Sequence, residues 1–487
     1  MQASHVTIFL FSILSSAHIY AQSIDEQIRQ VTSNLQASVV VKGAPEKRQT
    51  LGDSMARYKV PGVSIALIHD GKLAWAQGFG VKAADSKEAV ATTTLFQAAS
   101  ISKPVTATAM LKLVEQGQLS LDAPINTYLT SWQLPDNEFT KIEAVTLRRL
   151  ASHSAGLNVH GFPGYASGKP LPTVPQILDG KAPANTGAVR VEMTPGSVWK
   201  YSGGGTTIMQ LAMMDKTGVA FPDLMKRLVL EPIGMSNSTY EQPLPQAKQD
   251  FAAAGHDEEG KVIQGRWHTY PELAAAGLWT TPSDLSKWAI EIAEARAGKA
   301  NKILSQTIAT EMLTVQKAAT GLGPNIHNVG DAMYFEHGGS NFGYRCFIVY
   351  FPNLGRGAAI MTNGEGGAFV YRQLLGALAN MYDWPDFKPK VIETIALDTS
   401  LAQQVAGEYP FPPASATDTP PSVFVTYEKN QLMIEVPKIL PKTEAVMQAN
   451  GVLITPENGF EWKFSKAKDG SISAIEFNGR KLAKKLQ

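Results

Sequence analysis

The spacing of apolar residues changes early in the chain. Over residues 63–80, two apolar runs flank the polar stretch His69-Asp70-Gly71-Lys72. An Asp-Gly pair between two such runs is a strong hairpin signal. After Phe96 the apolar residues recur at helical spacing as far as Gly117, a residue type that often ends a helix. The pattern therefore predicts an antiparallel sheet followed at once by a helix.

The middle of the chain is irregular, and strand signals return after it. Over residues 119–302, short helical stretches alternate with Pro- and Gly-rich loops, without a repeat. Apolar runs at residues 344–351 and 357–362 predict two strands, and residues 368–382 predict a helix. We expect an α/β (α+β) fold in which helices flank an antiparallel sheet, with a mostly helical lobe.

The C-terminal part has a different composition. A stretch marked by proline and lysine, residues 385–390, precedes short runs rich in apolar and β-branched residues. These runs predict strands at residues 424–427, 432–436, 451–454 and 472–477. We expect a small all-β module over residues 395–487, after a larger domain over residues 22–390.

The N-terminus resembles an export signal. One apolar run, residues 6–17, lies shortly before the polar pair Gln22-Ser23, which predicts a signal peptide over residues 1–21 with cleavage after Ala21. The run is shorter than the roughly 20 residues that cross a bilayer, so we expect no stable membrane insertion. The protein would then be periplasmic or secreted, with a retained membrane anchor as the alternative.

Composition narrows the classes of partner. The 487 residues carry a formal charge of +1, and 44% are hydrophobic. This balance lacks the basic bias of a nucleic-acid binder, so we expect no nucleic-acid partner. The histidines show no metal-ligand spacing, and Gly203-Gly204-Gly205 lacks the lysine of a phosphate-binding loop. We therefore expect neither a metal nor a cofactor.

A serine and a lysine three residues apart are the first candidate for chemistry. In Ser100-Ile101-Ser102-Lys103, helical geometry would bring the hydroxyl and the amine onto one face. A serine hydroxyl needs an adjacent base to become a nucleophile, and a lysine amine can serve. A helix N-terminus adds partial positive charge where an oxyanion would form. The same spacing recurs at Ser197 and Lys200, so spacing alone does not identify the site.

Two later motifs distinguish the first serine. Trp199-Lys200-Tyr201-Ser202-Gly203 follows about a hundred residues later, and Glu336-His337-Gly338-Gly339-Ser340-Asn341 comes next, where we place it at the start of a strand. With this order of motifs, residues 61–385 resemble the class C β-lactamase superfamily, which includes penicillin-binding D,D-peptidases, D-aminopeptidases and esterases. Residues 96–99, 117–122, 146–157 and 272–285 also resemble family segments, the last as scaffold near the cleft with Ser283 as helix N-cap.

The resemblance implies roles for four residues. Ser100 would be the nucleophile and Lys103 its base. Tyr201 falls where the family keeps the tyrosine that passes protons between nucleophile and leaving group. His337 takes the first place of the family's K-T-G triad, where a neutral imidazole would offer less positive charge than lysine.

The resemblance also implies how substrate would be held. The missing side chains of Gly338 and Gly339 would let substrate lie against the strand backbone. The backbone N–H groups of Ser100 and Ser340 would form the oxyanion hole. Gly203, a further substrate-side position, stands where the family's Y-x-N pattern has an asparagine that hydrogen-bonds the substrate's amide.

These features predict an exported serine hydrolase that acts on ester or amide bonds through an acyl-enzyme at Ser100. His337 and Gly203 depart from the lactamase pattern and are compatible with an esterase or amidase. The alternatives are a D,D-carboxypeptidase or D-aminopeptidase on cell-wall peptides, and a non-catalytic protein that binds peptidoglycan or a partner. The substrate would be a small molecule or peptide, and the oligomeric state stays open.

Overall fold

The computed structural model describes residues 22–413 and 420–485. The predicted signal peptide and its cleavage after Ala21 lie outside these residues. The chain divides into two compact units: a central unit, Lys59–Tyr371, and a terminal unit that combines the residues up to Tyr58 with those from Arg372 onward. The predicted boundary between residues 390 and 395 stays a prediction.

The helices are distributed over both units. In chain order they are α1 (Ile24–Thr32), α2 (Leu51–Arg57), α3 (Ser102–Glu115), α4 (Leu147–Ala151), α5 (Val174–Asp179), α6 (Gly203–Thr217), α7 (Phe221–Met225), α8 (Gln246–Gln249), α9 (Leu273–Ala276), α10 (Pro282–Arg296), α11 (Gln306–Met312), α12 (Gly367–Met381) and α13 (Thr399–Val405). Short 3₁₀ turns occupy Ala99–Ile101 and Ile125–Thr127, and a π-helical turn occupies Lys226–Leu230.

The strands fall into two main sheets and several short pairs. In chain order they are β1 (Leu35–Gln36), β2 (Val39–Val41), β3 (Arg48–Gln49), β4 (Gly62–His69), β5 (Lys72–Gly80), β6 (Phe96–Gln97), β7 (Trp279–Thr280), β8 (Asn325–Val329), β9 (Ala332–Asn341), β10 (Tyr344–Phe351), β11 (Arg356–Thr362), β12 (Lys390–Ile392), β13 (Thr394–Ile395), β14 (Gly407–Pro410), β15 (Ser422–Glu428), β16 (Gln431–Val436), β17 (Leu440–Gln448), β18 (Leu453–Thr455), β19 (Phe460–Lys466), β20 (Ile472–Phe477) and β21 (Arg480–Ala483).

The central unit is built on an antiparallel sheet with the strand order β5-β4-β11-β10-β9-β8. The predicted hairpin is confirmed as β4 and β5. Asp70 and Gly71 connect the strands with φ of 50° and 70°. Two positive φ values are typical of a type I′ turn, whose twist matches that of the flanking strands. Strands β10 and β11 and helix α12 lie within one residue of their predicted bounds.

The third motif was placed wrongly within its strand. We predicted that Glu336 to Asn341 would open a strand, whereas these residues end β9. The buried aromatic residues Tyr334 and Phe335 continue the strand backwards. The chain then turns at Gly343, whose φ of 82° suits glycine.

Helix α3 lies in the core of the central unit, as its apolar sequence predicts. Nearly all of its residues are buried, from Ser102 to Leu113. Gly117 follows the helix with φ of 70°, and Gln118 N donates to Leu113 O at 2.9 Å. This is a Schellman ending, for which a glycine in the left-handed region is well suited. The chain therefore enters α3 near Ser100 and leaves it at a defined point.

The terminal unit contains the predicted all-β module. Its strands follow the order β14-β15-β16-β17-β18-β19-β20-β21, and β13 pairs with β17. Lys485 N donates to Glu408 O at 2.9 Å, which brings the end of the sheet back to β14. The sheet is therefore nearly closed into a barrel. Strands β13, β14, β17, β19 and β21 were not predicted. Pro441 and the charged residues on the exposed face of β17 obscure its alternation.

Within the described ranges, every helix is too short or too polar to cross a membrane.

Candidate active site

Ser100 and Lys103 form the centre of the site. Ser100 lies in the 3₁₀ turn that leads into α3, half-buried, directly after Ala99, whose φ is 49°. Lys103 is buried, and its Nζ donates to Ser100 Oγ at 3.0 Å and to Ala275 O at 2.9 Å. The carbonyl fixes the amine, and the amine holds the hydroxyl. This geometry lets Lys103 exchange a proton with Ser100 Oγ.

The second Ser-x-x-Lys spacing in the central unit has no such geometry. Ser197 Oγ donates to Thr194 O at 2.6 Å, and Lys200 Nζ pairs with Glu192 at 2.6 Å. The two side chains of this spacing therefore bond to different partners. The pair offers a matched control for Ser100 and Lys103.

Tyr201 comes from the segment that precedes α6. Ser202 caps this helix, because its Oγ accepts from Gly205 N at 3.0 Å. Lys103 Nζ lies 5.0 Å from the centroid of the Tyr201 ring. The predicted nucleophile, amine and phenol are therefore gathered in one place, although Lys103 and Tyr201 lie 98 positions apart in the chain.

His337 reaches the same place from β9. Its ring centroid lies 6.4 Å from that of Tyr201, and its Nδ1 donates to Gly338 O at 2.7 Å. Burial, together with the charge of Lys103, lowers the pKa of His337 to about 4 against an opposing effect of Glu336. The imidazole is therefore neutral at pH 7, with Nε2 left as an acceptor.

The glycines of the third motif bring β9 close to the nucleophile. A Cβ on Gly339 would lie 2.3 Å from Ala98 O, so no side chain fits there. Gly338 has more room, because a Cβ there would lie 3.6 Å from the nearest atom, in the Phe347 ring. Ser340 is exposed near the strand end. The oxyanion roles of the Ser100 and Ser340 N–H groups stay predictions.

Helix α9 links the three motifs through its backbone. The carbonyls of three consecutive alanines each accept a hydrogen bond from a different side chain: Ala274 from Thr106, Ala275 from Lys103, and Ala276 from Asn341. Ala274 N in turn donates to Gln210 Oε1, on α6, at 2.9 Å. Our prediction of scaffold near the cleft did not include these contacts, because backbone acceptors leave no signature in residue type.

The helix after α9 begins differently from our prediction. Thr281, not Ser283, is the N-cap of α10, because Thr281 Oγ1 accepts from Asp284 N at 3.2 Å. Pro282 occupies the first helical position, which suits its fixed φ and missing N–H. This proline places the start of the helix one residue before Ser283.

Glu272, which precedes α9, is a buried carboxyl that sequence reasoning missed. Its residue is fully buried, and neither carboxyl oxygen has a hydrogen-bond partner within the described part of the chain. Burial raises its pKa to about 8. The group is therefore mostly protonated at pH 7.

Two further histidines flank Tyr201, and sequence reasoning missed both. The ring of His153 lies 4.2 Å and that of His160 lies 4.8 Å from the Tyr201 ring, centroid to centroid. Burial first, and the charge of Lys103 second, lower the pKa of both. From the sequence, we weighed these two histidines as metal ligands and gave neither of them a catalytic role. Among the residues with described positions, no cluster suited to a metal is found.

Gly203 lies against the loop that carries His160. Gly203 N donates to His160 O at 3.0 Å. A Cβ on Gly203 would lie 3.0 Å from the Phe162 ring and 3.1 Å from His160 O. The space beside Gly203 is therefore filled by this loop.

Comparison with known proteins places these features in context. The Beta-lactamase family model matches residues 48–380. Penicillin-binding protein 4 of Amycolatopsis lactamdurans is 26% identical over 348 residues, which cover 66% of this chain and 87% of that protein. A Beta-lactamase of Pseudomonas fluorescens is 25% identical over 355 residues, which cover 64% and 91%.

A similar solved structure is that of SurE with D-Leu. It superposes with a TM-score of 0.54 at 19% identity, over 89% of this chain and 97% of that one. The likeness confirms the predicted fold class.

Proposed function

The chain belongs to the beta-lactamase family of serine hydrolases, and from this premise we propose that it cleaves ester or amide bonds through an acyl-enzyme at Ser100. One observation carries the proposal. Lys103 Nζ is fixed by Ala275 O at 2.9 Å and lies 3.0 Å from Ser100 Oγ. A buried amine held against a hydroxyl is the arrangement that activates a serine nucleophile.

In the proposed acylation step, Lys103, assisted by Tyr201, takes the proton of Ser100 as Oγ attacks the carbonyl carbon. The carbonyl oxygen becomes an oxyanion, which the backbone N–H groups of Ser100 and Ser340 stabilise. Tyr201 then protonates the leaving group, and the acyl-enzyme forms. Water, deprotonated by the same lysine and tyrosine, hydrolyses the acyl-enzyme and restores the proton to Ser100.

The state of His337 supports an uncharged ester or amide as substrate. With a pKa of about 4, its imidazole carries no charge at pH 7. A neutral group attracts a substrate carboxylate less strongly than a lysine would. We therefore propose an esterase or amidase in preference to an enzyme that selects a carboxylate.

A D,D-carboxypeptidase or D-aminopeptidase is the second candidate. The similarity to a penicillin-binding protein favours it. We also propose that the protein is exported to the periplasm or secreted, where such an enzyme would meet cell-wall peptides.

The test is mass spectrometry of the purified protein after mixing with a fluorophosphonate, p-nitrophenyl butyrate or nitrocefin, with hydrolysis followed in parallel. We expect an adduct on Ser100 and ester hydrolysis. The Ser100→Ala variant should form no adduct and lose turnover by at least about 10⁴-fold, because it lacks the attacking oxygen. Ser197→Ala is the matched control and should behave as wild type.

Each other outcome changes the conclusion. Fast hydrolysis of nitrocefin would identify a β-lactamase instead. Near-normal hydrolysis by Ser100→Ala would overturn the assignment of the nucleophile. Absence of any adduct would favour a non-catalytic binding protein.

A further inference from the structure

We infer that His160 is a substrate-binding residue that hydrogen-bonds a secondary amide in the acyl part of the substrate. The enzyme would then prefer esters and amides of N-acylated amino acids over those of plain fatty acids. This inference rests on the proposed hydrolase function, and it concerns a residue outside the three motifs.

The loop that carries His160 is fixed at its base. Ser202 Oγ donates to Asn158 O at 2.6 Å, and the N–H groups of Gly203 and Gly204 donate to His160 O and Val159 O at 3.0 and 3.1 Å. These bonds join the loop to the segment that carries Tyr201. The position of the His160 ring is therefore coupled to that of the phenol.

The His160 ring is placed where a substrate could reach it. The residue is exposed, and its ring lies 4.8 Å from the Tyr201 ring at an interplanar angle of 41°. Neither ring nitrogen has a hydrogen-bond partner in the described ranges, in contrast to His153 and His337. An unpartnered polar group next to the proposed proton-transfer residue is available to a ligand.

The chemistry of a neutral imidazole defines what it would bind. Partial burial of its ring, and then the charge of Lys103, lower the pKa of His160 below its ordinary value, so the neutral form predominates at pH 7. A neutral imidazole has one N–H donor and one nitrogen acceptor. A secondary amide offers the complementary pair, a carbonyl oxygen and an N–H. An ammonium or carboxylate would satisfy only one of the two nitrogens.

Gly203 has no side chain with which to bind a substrate amide, so a residue of the neighbouring loop would take that role. An amide side chain at that position would also supply one donor and one acceptor group, but its Cβ would lie only 3.0 Å from the Phe162 ring and 3.1 Å from His160 O, so the loop would have to shift to admit it. The same loop that crowds position 203 carries the imidazole. Through His160, the loop thus provides one donor and one acceptor, as an amide side chain at position 203 would, but from the loop rather than from α6.

The test uses two esters that differ in one amide. The p-nitrophenyl ester of N-acetyl-D-alanine and p-nitrophenyl 2-methylpentanoate have acyl chains of the same length, the same methyl branch beside the ester carbonyl and the same leaving group. The L-alanine ester is run alongside. We expect wild type to have the higher kcat/KM with an N-acetylalanine ester. His160→Ala should lower that kcat/KM about tenfold, equivalent to about 1.4 kcal/mol, and change the 2-methylpentanoate value less than about threefold.

Two variants sharpen the result. His160→Asn keeps a donor and an acceptor and should retain part of the preference. His327→Ala is the matched control. His327 bonds Glu336 at 3.1 Å and stacks on Tyr334. Because side chains alternate along β9, Tyr334 and Glu336 point to the opposite face from His337. It should leave the ratio of the two kcat/KM values unchanged.

The inference and the proposed function fail in different ways. If His160→Ala lowers kcat/KM equally for both esters, or wild type shows no preference for the N-acetylalanine esters, the inference is wrong while Ser100-dependent hydrolysis still supports the function. If neither ester is hydrolysed through Ser100, the function itself is wrong.

Discussion

Each of the two units holds a glutamate that is shielded from solvent, Glu272 fully and Glu457 with 20% of its side chain exposed, and the two glutamates have opposite environments. In the central unit, neither carboxyl oxygen of Glu272 has a hydrogen-bond partner among the described residues, and burial raises its pKa to about 8. In the terminal unit, Glu457 accepts hydrogen bonds from Arg57, Tyr58 and Thr443. Burial raises the pKa of Glu457, but these bonds outweigh it, and the pKa lies below its ordinary value.

The difference shows that the hydrogen-bond donors around a shielded carboxyl, together with its degree of burial, decide which ionisation state the fold favours. A carboxylate with charged and hydroxyl donors stabilises the fold in its ionised form. A carboxyl without donors destabilises the fold once it ionises. The terminal unit therefore uses the partly buried charge of Glu457 structurally. In the central unit, Glu272 precedes α9 without a hydrogen-bond donor among the described residues. Lys103 Nζ likewise bonds a hydroxyl and a carbonyl rather than a carboxylate. Such groups keep the reactivity that a charged partner would suppress.

Lys103→Met should have the largest effect of the substitutions that test this contrast. The variant loses the amine that activates Ser100, so kcat/KM for p-nitrophenyl butyrate should fall by at least about 10⁴-fold. Its thermal stability should stay equal or rise by up to about 1 kcal/mol, because an apolar side chain replaces a buried amine without a counter-charge. Turnover and thermal unfolding are measured on the same preparations.

Lys200→Met is the matched control for this prediction. Lys200 pairs with Glu192 and belongs to the Ser-x-x-Lys spacing that lacks the site geometry. It should keep wild-type turnover. A Lys103→Met variant that is strongly destabilised would show that the lysine is a structural residue and would break the contrast between the units.

Glu272→Gln should have the next largest effect, and it depends on pH. An unfolded glutamate ionises near 4.5, whereas folded Glu272 keeps its proton to about pH 8. Between these values the folded state binds more protons, so the wild-type stability falls as pH rises and levels off above pH 8. The Glu272→Gln variant has no carboxyl to ionise at this position, so its stability does not fall in this way. It should match wild type near pH 4 and exceed it by on the order of 4 kcal/mol at pH 9.

The measurement is urea unfolding of both proteins from pH 4 to pH 9. Glu138→Gln, the same substitution at an exposed position of the same unit, is the control. A constant difference between Glu272→Gln and wild type at every pH would mean that the folded Glu272 is ionised like the unfolded one, contrary to its environment.

The features that could be predicted from the sequence depend on local geometry. The Asp70-Gly71 hairpin is fixed within a few residues, so its pattern suffices. The short spacing of Ser100 and Lys103 predicts that they lie on one face, although the later motifs were needed to choose this pair. The α9 carbonyls accept hydrogen bonds from Thr106, Lys103 and Asn341, and the His160 ring lies against Tyr201. All these contacts join segments that are far apart in the chain. They use backbone groups and loop geometry, which residue types do not reveal. The family resemblance identified Tyr201 and His337 as site residues, but it did not identify His153 and His160, whose rings flank Tyr201.

The paired glutamate of the terminal unit gives the smallest effect. Glu457→Gln removes the negative charge that faces Arg57 and weakens the bonds from Tyr58 and Thr443. Arg57 is about one-third exposed, so water compensates part of the loss. We expect destabilisation of about 2 kcal/mol at pH 7, measured as faster hydrogen exchange in peptides from β15 to β20. Glu461→Gln, an exposed change on β19, is the control.

The pH dependence of this variant should be opposite in sign to that of Glu272→Gln. Because folded Glu457 has a lowered pKa, its contribution is present at neutral pH and is lost as pH falls below about 4.5 and through the folded pKa. The difference between wild type and Glu457→Gln should therefore shrink towards acid pH, whereas the difference for Glu272→Gln grows towards alkaline pH. Two glutamates with the same chemistry would then move stability in opposite directions with pH, because only one of them has donors.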